Sequence, residues 1–192
     1  MFYIREDEEQ RYGRNKPTQI NHNYINSGEY RRKFDDISES SKLNRLIYTK
    51  AKEMLEHRSG TIIEDMCWFD STLEKLIYSK FDEIDARVIH VDEKILKSLK
   101  SYTQIIPVHT HPSSMPPSPA DFNCLLDINA AFGIILCHDG RIFRYYANRH
   151  VDIELWNSYI SRFREDGKSE FDAQIAAIEK IQETGDIYFE EV

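Results

Sequence analysis

The sequence predicts a mixed α/β fold in which a sheet is flanked by helices, and two observations support that prediction. Segments with apolar residues at helical spacing alternate along the chain with short apolar runs typical of strands. Asp139-Gly140 stands between two such runs, and Asp-Gly in that position is a strong signal for a β-hairpin. Both kinds of element share one chain of 192 residues, so we expect the helices to cover the faces of one sheet.

The chain from Lys42 to the middle of the sequence predicts one long helix followed by strands. Apolar residues from Leu43 to Leu55 recur at helical spacing, and Ser59-Gly60 ends the pattern. The elements expected next are a strand over 61–69, a turn over 70–72, its hairpin partner over 73–78, a short strand over 87–91, a helix from the N-cap Asp92 to about Lys100, and a strand over 104–108.

A second helix and a hairpin are predicted further on. Ser118 suits the N-cap and Pro119 the first helical position, so a helix begins there. Its apolar face continues to Ala130, and Gly133 suits the C-terminal cap. A buried strand over 133–137, a tight turn over 138–141 and a return strand over 142–146 complete this part.

The two ends of the chain differ from the middle in polarity and in hydrophobic pattern, which suggests three parts. Residues 1–41 are polar and irregular and predict an arm, although its aromatic residues could dock on the domain or on another subunit. Residues 42–148 form the predicted domain, and 149–192 predict two amphipathic helices separated by Gly167. This extension could pack on the core, act as a lid or bind a partner, and either end could support a homo-oligomer.

Composition narrows the classes of protein that fit. A net charge of −8 argues against a broad nucleic-acid surface, which needs clustered lysine and arginine. No apolar run approaches the roughly 20 residues of a membrane-spanning helix, and the N-terminus lacks the apolar segment of a signal peptide, so we expect a cytoplasmic protein without a membrane partner. Three cysteines form no Cys-x-x-Cys pair, and we expect them to be reduced and buried.

The most informative residues are two histidines and an aspartate. His109 and His111 are two apart on an extended segment, so their side chains project to the same face. The helix beginning at Ser118 could return the carboxylate of Asp121 to them. Two imidazoles and one carboxylate are a ligand set that zinc accepts, with a fourth position left for water, and bound zinc lowers the pKa of that water to about 7. The pattern therefore predicts a zinc-dependent hydrolase.

This motif resembles the signature of the JAMM metalloproteases, the catalytic MPN-plus proteins and their prokaryotic JAB-like branch. The matching residues are His109-Thr110-His111-Pro112 followed by Ser118-x-x-Asp121. The resemblance implies the MPN fold, which is cytidine-deaminase-like, with zinc on His109, His111 and Asp121, and with Ser118 steadying the reacting oxygen. The spacer of residues 112–117 is one residue shorter than is usual in that family, which puts the placement of Ser118 in question.

The family also uses a glutamate upstream of the histidines to transfer protons. Glu64 is the candidate, because it follows the first helix and opens the predicted strand, where a carboxylate among apolar residues is costly without a role. Glu56, just before that strand, is the competing candidate. The family strand often carries a glycine shortly after the glutamate, and this one does not.

The function expected from this resemblance is cleavage of an isopeptide or peptide bond, with a ubiquitin-like tail or another protein tail as the substrate. A second hypothesis keeps the MPN scaffold as an interaction module without catalysis. A third is a non-haem iron oxygenase, which fits the ligand types but not the Ser-x-x-Asp context. RadC-like relatives, which are associated with DNA, share the motif, but the acidic balance argues against that branch.

Overall fold

The structure, a computed structural model, describes residues 16–86 and 89–192. Over these residues it confirms the mixed α/β class, with a sheet of six strands flanked by helices. The strands are β1 (Met66–Asp70), β2 (Lys75–Lys80), β3 (Ile105–His111), β4 (Gly133–Cys137), β5 (Ile142–Ala147) and β6 (Ile187–Glu191). The helices are α1 (His22–Ile25), α2 (Gly28–Arg32), α3 (Ser41–Arg58), α4 (Glu93–Leu99), α5 (Pro119–Asp127), α6 (Ile153–Glu165) and α7 (Glu170–Gln182), preceded by a 3-10 turn at Lys16–Thr18.

The sheet has the order β2-β1-β3-β4-β5-β6, and β3 lies near its centre. Strand β3 pairs antiparallel with β1 and parallel with β4, and α5 makes the crossover between the two parallel strands. The carboxyl end of a parallel strand, where the chain turns into a helix, is a common place for a ligand site. His109 and His111 occupy that end of β3.

Side chains alternate between two covered faces of the sheet. Helix α3 and the segment before it cover one face, where Val108, Ile134 and Leu136 join a large apolar cluster. Helices α5, α6 and α7 cover the other face, where Ile135 and Tyr145 of the sheet join a second apolar cluster. A smaller cluster on α4 contains Met66 and Trp68. Because Ile106 and Val108 lie on the α3 face, the strand alternation places His109 and His111 on the opposite one.

The N-caps were the most accurate sequence predictions. Asp92 caps α4 by accepting from the Ile95 N–H, and Ser118 caps α5 with Pro119 at the first helical position, both as predicted. The hairpin between β4 and β5 is confirmed too, and its Gly140 has φ +93°, which favours glycine.

Strand boundaries were predicted less well. Strand β1 begins at Met66 rather than residue 61, and its partner spans Lys75–Lys80 rather than 73–78. Two positions of the strand predicted over 87–91 lie outside the described residues, and the remainder, from Ile89, is not in a strand. Glu64 therefore lies in the extended segment that leads into β1.

The prediction that Gly133 caps a helix was wrong. Helix α5 ends at Asp127, and Gly133 is the first residue of β4, paired with Tyr145 of β5. A Cβ atom at Gly133 would overlap the ring of Tyr145. This glycine therefore allows a close approach between a strand and an aromatic side chain.

Both ends of the described chain contact the sheet layers. Ile25, Tyr30 and Phe34 are buried in the α3-side cluster, and His138 donates a hydrogen bond to the Thr18 carbonyl oxygen at 2.5 Å. Positions 1–15 of the predicted arm lie outside the described residues. Helices α6 and α7 pack on the other face, and β6 adds the last strand to the sheet. Among the helices that the structure describes, each is too short or too polar to cross a membrane.

Candidate metal centre

The two histidines of β3 bring their ring nitrogens together in a buried place. His109 Nε2 and His111 Nε2 lie 3.0 Å apart, and both residues are less than 10% exposed. The T-shaped arrangement of the rings, with centroids 4.8 Å apart, directs both nitrogens to one point. The strand therefore brings the imidazoles together, as the His-x-His spacing predicted.

Asp121 is close to this pair as well. Its Oδ1 lies 3.1 Å from His109 Nε2 and its Oδ2 lies 3.7 Å from His111 Nε2. Ligand atoms about 2.0–2.1 Å from a tetrahedral zinc ion are roughly 3.3 Å from one another, by simple geometry. The distances of 3.0, 3.1 and 3.7 Å among the three side chains are close to that separation.

Ser118 orients the aspartate through a capping box. The Ser118 backbone N–H and the Ser118 hydroxyl each donate to Asp121 Oδ2 at 2.7 Å. The Asp121 N–H in turn donates to Ser118 Oγ. The shorter loop over 112–117 thus leaves Ser118 in contact with the aspartate that faces the histidines.

The hydrogen bonds of the two histidines differ. His111 Nδ1 lies 2.8 Å from the Met115 carbonyl oxygen, which can only accept, so Nδ1 carries the proton and Nε2 presents a lone pair. His109 Nδ1 is buried without a hydrogen-bond partner in the described structure. The lone pair of His111, the ring nitrogen of His109 and the carboxylate of Asp121 converge on one point, and such an arrangement suits a cation. A backbone carbonyl that fixes the tautomer of a histidine is also typical of metal sites.

The electrostatics of Asp121 agree with this picture. Burial is the largest effect and would raise the pKa of Asp121, but the facing His109 and His111 and the Ser118 N–H together outweigh it. The pKa of Asp121 is consequently well below its usual range, and the side chain is a carboxylate at neutral pH.

Glu64 reaches the histidines because of the register between β1 and β3. Met66 pairs with His109, and the Thr110 N–H donates to the Asp65 carbonyl oxygen at 3.1 Å, which continues the pairing one residue beyond β1. Glu64 then falls opposite His111. Glu64, His109 and His111 each offer a ligand atom within 4.8 Å of the others, so this group could bind a metal ion. Glu56 is exposed on α3 and is not part of the group.

A buried ion pair fixes the segment that carries Glu64. Asp65 is fully buried and accepts from Arg58 Nε at 2.5 Å, while His57 Nδ1 lies 2.7 Å from its other oxygen. The Asp65 N–H donates to Thr110 Oγ1 at 3.0 Å. Thr110 therefore holds the neighbour of Glu64 by both its backbone and its hydroxyl group.

The centre opens into a cavity of about 680 Å³ with mainly apolar walls. Its lining includes apolar side chains from β1, β3 and α5 and two polar side chains of α7, Glu170 and Gln174. Among the described lining residues there is no lysine or arginine, whereas three are carboxylates: Glu64, Asp121 and Glu170.

Sequence reasoning missed three side chains of this cavity. Tyr145 packs edge-on against His109 with ring centroids 6.4 Å apart, and the alternation of β5 could have indicated its inward position. Glu170 and Gln174 come from a helix whose docking on this face had no sequence signal. A fourth lining residue, Cys124, offers no nucleophile, because burial and the nearby Asp121 raise the pKa of its thiol to about 11.

By fold and site, the chain is a mixed α/β protein in which one glutamate and two histidines lie near one another and could bind a metal ion. Comparisons of the chain with protein-family models, with curated proteins and with solved structures found no match.

Proposed function

We propose that the protein is a zinc-dependent hydrolase that cleaves peptide or isopeptide bonds. The observation that carries the proposal is the mutual spacing of His109 Nε2, His111 Nε2 and the Asp121 carboxylate, at 3.0 to 3.7 Å. Three protein ligands that leave a fourth position open are typical of catalytic rather than structural zinc sites. The JAMM resemblance of the motif supports the same ligands.

Zinc is the metal that this donor set suits best among the common divalent ions. Two imidazoles with one carboxylate are borderline-soft ligands, whereas magnesium and calcium prefer sites made of oxygen atoms. A bound zinc ion polarises a carbonyl group and makes hydroxide available near neutral pH.

The position of Glu64 beside the two histidines supports a role in proton transfer. Glu64, His109 and His111 each offer a ligand atom within 4.8 Å of the others, so Glu64 is close enough to contact a water molecule beside the imidazoles. With zinc bound, Glu64 would accept a proton from the attacking water and donate it to the departing amine. The capping box would hold Asp121 and the Met115 carbonyl would hold His111 in place during this step.

Ser118 contributes first as a positioning residue, since its hydroxyl donates to Asp121. Rotation of that hydroxyl toward the substrate would let it stabilise the oxyanion of the tetrahedral intermediate, the role that the JAMM resemblance implies. The Ser118 N–H keeps its own hydrogen bond to Asp121 in either case.

The cavity wall favours a peptide over a phosphate ester. Apolar walls with carboxylates, and without a lysine or arginine among the described lining residues, suit an uncharged amide and its apolar side chains. A polyphosphate would meet repulsion there, because phosphate recognition uses cationic side chains. A protein tail, ubiquitin-like or another, is the substrate class that the motif and the cavity support together.

The test combines metal analysis with an activity assay. Protein purified without a chelator should contain about one zinc ion per chain by mass spectrometry and should cleave internally quenched peptides joined by an isopeptide bond to a lysine side chain. His111→Ala should lose both properties, while His150→Ala, a change at an exposed histidine, should keep both. A folded wild-type protein that binds no metal and cleaves none of these peptides would contradict the proposal and favour a non-catalytic scaffold.

A further inference from the structure

Helix α7 adds two polar side chains to a cavity that is otherwise mostly apolar. Glu170 and Gln174 both line it, together with His109 and Asp121. Their spacing of four residues places them one above the other on the same face of the helix. Neither residue belongs to the metal-binding motif, so their presence in the wall needs another explanation.

Gln174 is the more informative of the two. Its Oε1 atom is buried and has no hydrogen-bond partner among the described residues. A buried acceptor without a donor is unfavourable, and such atoms in native structures commonly face a ligand or water. Burial also raises the pKa of the nearby Glu170, although Arg164 opposes the shift, so this carboxylate lacks full solvation. Gln174 Oε1 therefore lacks a donor, and the partly exposed Glu170 carboxylate lies one helical turn before it.

Helix α7 is packed firmly enough to hold these acceptors in place. The same side of the helix buries Ala173, Ala177 and Ile178, and Ala177 and Ile178 pack in the apolar cluster on the sheet. At its first turn, the Arg141 guanidinium lies 4.1 Å from the centre of the Phe171 ring, which ties the helix to the β4–β5 hairpin. The helix backbone that carries the two acceptors is therefore held at the cavity wall.

We propose that Glu170 and Gln174 form a substrate subsite that binds a protonated primary amine, distinct from the nitrogen of the scissile bond. This inference rests on the proposed hydrolase function and adds a specificity element to it. An ammonium group offers three donors and no acceptor, which matches one carboxylate and one amide oxygen. The apolar walls formed by Met66, Val91 and Leu125 suit the alkyl chain that would carry it.

A lysine side chain and a free chain terminus both supply such an amine, and three tripeptide amides distinguish them. The first is N-acetylated and has lysine in the middle, so that it carries only a side-chain ammonium. The second replaces lysine by norleucine and has a free N-terminus. The third has norleucine and an acetylated N-terminus, and it carries no ammonium group.

Binding is measured on the full-length chain by NMR, with and without added zinc, with ¹³C-labelled methionine methyl groups. Met66 and Met115 line the cavity and report on binding, whereas Met54 is buried in the α3-side cluster and serves as the internal reference. At least one ammonium peptide should bind at least tenfold more tightly than the peptide without one, and whichever does so identifies the source of the amine. Equal affinities for all three peptides would overturn the subsite.

Two variants test the residues themselves. Glu170→Gln should reduce the affinity for the preferred ammonium peptide about tenfold and leave the affinity for the neutral peptide unchanged. Glu179→Gln, which removes the same charge from an exposed position of the same helix, should change neither affinity. Unchanged binding of the ammonium peptide by Glu170→Gln would refute the role of this carboxylate.

Gln174→Met provides a second line of evidence that does not depend on the first variant. Because it removes an unsatisfied buried acceptor, its melting temperature should be equal to or higher than that of the wild type, while its affinity for the ammonium peptide falls. A lower melting temperature with unchanged peptide binding would show that Gln174 is only structural and would overturn its place in the subsite.

These measurements need no turnover, so they separate the subsite from the hydrolase proposal. Selective amine binding without hydrolysis would support the subsite and contradict the hydrolase. If peptides are cleaved, Glu170→Gln should raise KM for amine-bearing substrates and leave kcat unchanged. Cleavage in which KM is unaffected by that change would overturn the subsite alone.

Discussion

Asp121 is the residue whose place was easiest to foresee, because local rules determine it. Ser118-Pro119 starts a helix, the third helical residue turns back to the N-cap, and its carboxylate then faces the end of β3. Such a prediction needs only short-range geometry. The same is true of His109 and His111, whose approach follows from the alternation of a strand.

Glu64 could be predicted only in part. Its residue type and its order in the chain suggested it. Its proximity to the histidines, however, depends on the β1–β3 register, which pairs residues such as Met66 and His109 that are far apart in the sequence. The strand was expected to include Glu64, whereas β1 begins two residues later. The extended backbone before β1 nevertheless keeps Glu64 on the same face as Met66, because it too alternates.

Replacing Glu64 by Gln should separate metal binding from catalysis. The amide keeps the size of the side chain but cannot accept the proton, so we expect the zinc content to stay at the wild-type value and kcat to fall about 10²–10⁴-fold. Zinc content is measured by mass spectrometry and kcat with a quenched isopeptide substrate.

Glu56→Gln is the matched control, because Glu56 is exposed on α3 and lies outside the histidine group. It should retain full activity. Loss of activity in this variant, with activity retained by Glu64→Gln, would transfer the catalytic role to Glu56. Loss of zinc from Glu64→Gln would instead make Glu64 a ligand.

At the scale of elements, β3 contributes polar side chains to both faces of the sheet. Its histidines face the cavity, and Thr110 between them faces the buried Asp65 and Arg58 pair. Arg58 in turn donates to the Phe81 carbonyl oxygen, so α3, the segment before β1 and the end of β2 meet at one ion pair. This network explains why a hydroxyl residue is useful between the two histidines.

Thr110→Val should weaken this connection without touching the ligands. Valine keeps the branched shape, but the buried Asp65 N–H loses its acceptor, which costs about 1–3 kcal/mol. We expect the melting temperature to fall by about 2–4 °C for each kcal/mol in a chain of this size. Activity should fall with it, because the segment holding Glu64 loosens, while zinc stays bound. Calorimetry and metal analysis measure the two effects.

Thr110→Ser is the control, since it keeps the hydroxyl group and loses only a methyl group. It should retain more activity than Thr110→Val, even if its stability is similar. A valine variant as active as the serine variant would show that the hydroxyl does not position Glu64.

Elements also show where sequence patterns fail. Gly133 was predicted to cap a helix because it follows an apolar helical face, yet its conformation is extended and its role is to make room for Tyr145. A glycine that permits a turn and a glycine that permits close packing look the same in a sequence. The position of α7 could not be predicted from the sequence either. Its apolar stripe predicts an amphipathic helix, but the stripe does not indicate which face of the sheet the helix packs against.

For the whole molecule, the candidate metal centre lies where several layers meet. β3 supplies two histidines, α5 supplies Asp121, the segment before β1 supplies Glu64, and α7 closes part of the cavity. The sheet and its helices were foreseeable from periodicity, but this convergence required the strand order. An ion held by groups from separate elements would link them in the folded state only.

Removal of the metal should therefore destabilise the entire domain. A ligand that binds only the native state stabilises it by about 4 kcal/mol when its free concentration is a thousand times Kd. For a chain of 150–250 residues this corresponds to a melting temperature about 10 °C higher. Incubation with a chelator, followed by its removal, should lower the melting temperature by about that amount, and added zinc should restore it, as measured by differential scanning calorimetry.

The control for this experiment is His111→Ala, which lacks one of the two imidazoles that face each other at the end of β3. Its melting temperature should be close to that of the chelated wild-type protein and should not respond to either chelator or zinc. The restored increase should also depend on the zinc concentration, because the stabilisation follows the fraction of sites occupied. A wild-type protein whose melting temperature ignores both treatments would show that these side chains pack together for structural reasons, with Asp121 paired to the imidazoles themselves.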